Sequence, residues 1–139
     1  MEVIDSNGET RLCQGSNSMY PLEVSDATAI YTNGRILACG GNTNINRTDQ
    51  CYVYEKGKGW SQLSTSQPRS EIASIPIDGG MIVIGGWDGS NTLKSSQIIF
   101  SNGYVNTEGP EIPEPRYGHC LAYDKEDDVF FVTGGKVSI

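Results

Sequence analysis

The chain has 139 residues, a formal net charge of −7 and 17 glycines, with hydrophobic residues at 37% and charged residues at 19%. Modest charge with ordinary apolar content excludes a disordered acidic tail, and the lack of a Gly-X-Y period excludes collagen. The acidic balance leaves no basic stripe for nucleic acid, and no apolar run exceeds four residues, against the ~20 that a membrane-spanning helix requires.

In chain order, residues 3–5 and 11–13 read as two short strands, and no signal peptide is visible within residues 1–20. From residue 21 the chain repeats. Pro21, Pro68 and Pro115 are each 47 residues apart, and each is followed by a glycine pair: Gly40-Gly41, Gly85-Gly86 and Gly134-Gly135. In the first unit Asn33-Gly34 turns the chain into the apolar strand 36–39. In the second, a strand at 72–77 meets Asp78-Gly79 and then strand 81–84. In the third, a strand at 119–123 meets the turn 125–128 and strand 129–132. The second strands are apolar at every position, so both of their faces are expected to be buried between sheets. A polar loop follows the pair (42–50, 87–95), then a third strand (51–55, 97–100) and a fourth (60–63, 104–107). No stretch shows helical periodicity.

Four strands in a unit of this length describe an all-β propeller blade. The glycine pairs, Tyr54, Trp60, Pro68-Arg69, Pro115-Arg116 and the run Gly85-Gly86-Trp87-Asp88-Gly89 resemble the kelch repeat over nearly the whole chain. Two departures stand out: Leu22 replaces the arginine in the first unit, and Tyr104 stands where the second unit's tryptophan would be. The resemblance implies kelch-type β-propeller blades of four antiparallel strands, in a partial propeller. Residues 1–14 would be the outer strands of one blade, 21–67 and 68–114 full blades, and 115–135 the inner strands of another. Closed propellers have about 4–8 blades, so three blades' worth needs more. The chain is either a fragment of a longer six-bladed chain or one half of a homodimer completing a six-bladed propeller.

Cys39 ends a second strand and Cys51 begins the third, and facing positions on paired strands can meet disulfide geometry. Such a bond would add about 2–3 kcal/mol; two free buried thiols are the alternative. Asn46-Arg47-Thr48 in the intervening loop is an N-glycosylation sequon. With Gly118-His119-Cys120, this pattern resembles extracellular animal kelch proteins, which implies the secretory pathway; a cytoplasmic protein is the alternative. Cys13 and Cys120 fall two blades apart and are not expected to pair with each other.

The cysteines lack zinc spacing and His119 is the only histidine, so no metal, cofactor or catalytic residue is expected. His119 reads as an inner-strand residue, hydrogen-bonded near the propeller axis. Kelch propellers engage proteins through loops on one face, which implies a protein or peptide ligand. Arg47, Arg69, Trp87, Asp88 and Arg116 are the candidate contacts, with an arginine that makes the same structural bonds in every blade as the competing role for Arg69 and Arg116. The other functional class is a fragment of a propeller-fold enzyme or sugar-binding domain whose active residues lie outside this chain.

Overall fold

The computed structural model describes residues 2–12, 19–63 and 67–137, and all regular structure among them is strand. β1 (Glu2–Ile4) and β2 (Thr10–Leu12) form a hairpin. β3 (Thr28–Thr32), β4 (Arg35–Cys39), β5 (Cys51–Glu55) and β6 (Gly59–Gln62) form a four-stranded antiparallel meander. β7 (Ala73–Ile77), β8 (Gly80–Ile84), β9 (Ser96–Phe100) and β10 (Val105–Asn106) form a second. β11 (Arg116–Asp124) and β12 (Val129–Val137) make a long hairpin. The first strands of the sheets pack side by side, β7 lying against β3 on one side and β11 on the other. These are propeller blades, with the innermost strand leading each sheet.

The strand register corrects two alignments made on spacing. Thr28 pairs with Cys39 and Ala73 with Ile84, so equivalent strands of the first two sheets are 45 residues apart, not the 47 of their prolines. Two additional residues between Pro21 and β3 take up the difference. Val24, not Leu22, therefore stands at the place of Arg69. On the outer edge Tyr54 pairs with Trp60 and Ile99 with Val105. Val105 rather than Tyr104 thus occupies the tryptophan's place, and it packs against the core while Tyr104 is exposed.

The core lies in two layers between sheets. Leu37, Cys39, Cys51, Met81, Val83 and Ile99 fill the first, and Ile75, Ile82, Ile84 and Ile112 the second. β8 serves both, because alternate residues of a strand point to opposite faces. Met81 and Val83 face the first sheet, while Ile82 and Ile84 face the hairpin of β11 and β12. The expectation of burial on both faces holds for β8 but fails for β12. Phe130 and Val132 pack inward, whereas Val129 and Phe131 are 41% and 58% exposed. No sheet covers that side of β12 among the described residues.

Each joint between neighbouring sheets is built from one glycine pair. Gly41 N–H donates to Arg69 C=O and Gly86 N–H to Arg116 C=O, both at 2.9 Å. The approach is so close that a Cβ on Gly40 would lie 2.4 Å from Arg69 O, and one on Gly85 2.7 Å from Arg116 O. Bonds also run the other way: Glu71 N–H donates to Asp26 C=O, and Gly118 N–H to Glu71 C=O. Asp26, Glu71 and Gly118 hold equivalent places and share left-handed φ values of 56°, 52° and 64°.

Candidate functional site

The loops 42–50 and 87–95 leave their sheets at the glycine pairs and share one construction. Thr48 N–H donates to Gly41 C=O, and Leu93 N–H to Gly86 C=O. Each loop returns at once to its sheet, as the bonds from Gly40 to Gln50 and from Gly85 to Ser95 show. The segment 109–117 lies beside the second loop, with Ile112 and Arg116 N–H bonded to Lys94 and Leu93 C=O and a Lys94–Glu111 ion pair of 2.8 Å. Loops and inter-sheet segment thus form one continuous end of the molecule.

The candidate contacts divide by depth. Arg69 is only 1% exposed, so it is removed from the candidate surface. Its Nη1 donates to Gly85 O and Ser95 O at 3.0 Å, and its Nη2 to Gln67 Oε1 at 2.9 Å. These partners answer the carbonyls left where strands β8 and β9 diverge. Burial pulls its pKa down to about 10 while the nearby Asp88 charge opposes that shift. Arg116 repeats the main bond, Nη1 to Gly134 O at 3.0 Å, but its guanidinium is partly open to solvent and also pairs with Glu114. The shared bond makes both arginines strand-end braces; Val24 makes no such bond in the first unit.

Trp87 is half-buried, with its backbone bridged to Ser70 and Thr92 and its ring 6.2 Å from that of Tyr117. Asp88 accepts the backbone N–H of Ser90 and Asn91 at 2.7 Å, which fixes the loop and holds its carboxyl below the ordinary range. Arg47 is half-buried, and its side chain lies against Gly89, so it joins the two loops. Asn46 is exposed at the tip of a turn closed by Thr43: Thr43 N–H and Oγ1–H both donate to Asn46 O, and Thr43 Oγ1 accepts Asn46 N–H. Beside it Ile45 is 87% exposed, a large apolar side chain on a pinned turn. A depression of about 250 Å³, lined by Glu23, Val24, Ser25, Asn42, Thr43 and Asn44, adjoins this turn.

A disulfide joins Cys39 and Cys51, which face each other across β4 and β5 with Cα atoms 4.2 Å apart. Both are buried, and Cys39 Sγ lies 3.9 Å from Met81 Sδ of the second sheet. Cys120 is an exposed free thiol, while Cys13 lies outside the described residues. No group of three or more His, Cys, Asp or Glu side chains that could hold a metal occurs among the described residues.

Two polar residues, one buried and one half-buried, were not expected in their observed settings. His119 is 7% exposed, and among the described residues neither ring nitrogen has a hydrogen-bond partner, contrary to the expected hydrogen-bonded role. Burial, then the Arg116 charge, pushes its pKa below the ordinary value. Tyr20 lies edge-on to Tyr52 and Trp60, with ring centroids 5.4 and 5.0 Å away, and its pKa is pushed up to about 12 by burial and then by Tyr52. An aromatic just before Pro21 was the available signal for Tyr20. Nothing in the sequence marks Asp26 and Glu71 as left-handed.

No protein-family model matches the chain. It is 33% identical over 79 residues to Kelch repeat-containing protein kel-10 of Caenorhabditis elegans, covering 54% of this chain and 14% of that protein. It is 27% identical over 114 residues to Spermatocyte protein spe-26 of the same organism, covering 76% of this chain and 20% of that one. It is 29% identical over 70 residues to Kelch repeat and BTB domain-containing protein F47D12.7, also of C. elegans, covering 49% of this chain and 12% of that protein. The chain thus spans a fifth or less of the length of these relatives. The chain is thus similar in sequence to kelch-repeat proteins, and its four-stranded sheets with repeated glycine-pair joints are the blade arrangement that this likeness suggests.

Proposed function

We propose that the chain is a non-catalytic binding module whose loop end recognises a protein or peptide. The carrying observation is Ile45, a large apolar side chain in solvent on a turn fixed by Thr43, flanked by Asn44, Asn46 and Arg47. Holding such an anchor rigid removes ordering entropy that binding would otherwise cost. The surrounding amides suit hydrogen bonding to a peptide backbone, and Trp87 and Arg116 extend the surface across the second loop. Selection of displayed peptides on the immobilised chain tests this. Selected peptides are expected to lose at least about tenfold in affinity for Ile45→Asp, and to bind unchanged to Asn33→Ser, at the opposite end. Equal binding to both variants overturns the proposal.

Two further readings belong to it. The buried disulfide and the exposed sequon Asn46 support residence in an oxidising, secretory compartment. Protein from its native source should then gain two alkylatable thiols on reduction; four free thiols beforehand overturn this. The exposed Val129 and Phe131 support cover by a further blade. Sedimentation at twice 15.1 kDa assigns that blade to a second copy. A monomer whose β12 face binds a hydrophobic dye assigns it to a longer polypeptide, and a monomer that binds none overturns the reading.

A further inference from the structure

The two joints place different side chains at one equivalent position. Ile72 Cδ1 lies 3.3 Å from where a Cβ on Gly40 would be, and His119 Cε1 lies 2.6 Å from where one on Gly85 would be. The glycine surface thus carries an alkyl group at the first joint and an imidazole at the second. On its own side, His119 also rests on Gly135, whose Cβ position is 2.8 Å from His119 Cβ. His119 is therefore held between two glycine backbones, its ring against Gly85 and its Cβ against Gly135, with no hydrogen-bond partner for either nitrogen among the described residues.

We propose that His119 is a pH-sensitive clasp, neutral when the second joint is closed and opening that joint when it takes a proton. The charged groups around it are Arg116 on its own strand, Lys136 opposite Tyr117 on β12, Arg69, whose Nη1 holds the Gly85 carbonyl, and Glu71, whose Oε2 is 3.5 Å from the Cβ position of Gly118. Burial disfavours an imidazolium there and the Arg116 charge adds to it, while Glu114 and Asp88 stand beside Arg116 and Arg69. Among the described residues neither nitrogen has a hydrogen-bond partner with which to share a new charge. The first joint has no titratable group at this position, so it serves as an internal control.

Backbone amide exchange of the 139-residue chain tests this, read as protection factors to remove the intrinsic pH dependence. Between about pH 7.5 and pH 5, the Gly86 and Gly118 amides of the second joint are expected to lose roughly tenfold in protection, while Gly41 and Glu71 of the first hold theirs. In His119→Ile, which copies the residue of the first joint, the loss should vanish. Equal losses at both joints, or a loss that persists in His119→Ile, overturn the proposal. If that variant does not fold, the imidazole's NMR titration in the native chain decides. A pKa below 6.5 with Gly86 exchange rising over the same range supports the clasp, and any other result overturns it.

Discussion

At the joint between the two four-stranded sheets, Gly41 is bonded to Arg69, and Ile72 covers Gly40; at the next joint, Gly86 is bonded to Arg116, and His119 covers Gly85. The backbone plan is the same, but the side-chain support differs. The first joint adds Thr28–Ser74 at 2.5 Å, Thr32 Oγ1 to Ile77 O at 2.8 Å and Asn33 Nδ2 to Asp78 Oδ1 at 2.9 Å. Among the described residues no side-chain hydrogen bond ties β11 to β7. The first joint also has the disulfide at its core and the second does not. A repeated backbone contact therefore sets where sheets meet, and unrepeated side chains set how firmly they hold.

Four measurements can break or sharpen this contrast, taken from the largest expected effect to the smallest. Leu37→Ala empties a fully buried place in the first layer and should cost about 3–4 kcal/mol in urea unfolding. A loss below ~1 kcal/mol would show that the first joint is not the firmer one. Reducing the Cys39–Cys51 bond releases a loop of 12-residue separation, and unfolding stability should fall by about 3 kcal/mol on the chain-entropy account. Arg69→Met strips donors from two carbonyls and should cost about 2 kcal/mol, whereas Arg116→Met, in the more open setting, should cost about half that. Equal losses would mean that exposure does not weaken the brace. Thr32→Val removes one bond to Ile77 and should cost about 1 kcal/mol.

The pH arm of the contrast has a definite sign. His119 has a lowered pKa in the folded chain, so the unfolded chain binds its proton first. Its effect on stability is absent well above the ordinary 6.5, and stability falls as the pH drops through 6.5 toward the folded value. His119→Ile should remove that part of the acid sensitivity, as read from urea midpoints across the range.

The blades were legible because glycine pairs and apolar second strands report backbone crowding directly. Cys51–Glu55 was readable to the residue, since its bounds are set by the loop and turn on either side. Phase was less legible. Pro21 precedes the sheet by an irregular segment, so its spacing carried Leu22 to a place that Val24 holds. Tyr104 resembled Trp60 in chemistry, but one residue of register turned it outward and Val105 inward. For Arg69 the repeat left a contact role and a structural brace side by side; the brace holds, and its carbonyl partners, residues 85 and 95, are visible only once folded. Val129–Val132 read as buried on both faces because composition reports capacity for burial, not the presence of a neighbour.

The joints also carry a direction. In both, the earlier sheet's glycine donates to the later sheet's arginine carbonyl, and the later sheet's left-handed residue donates back to the earlier one. Rotating one sheet end for end would set donor against donor. Sheets of this kind can therefore be stacked in only one sense, as links of an oriented chain, and an exchanged or duplicated blade would have to enter facing the same way as its neighbours.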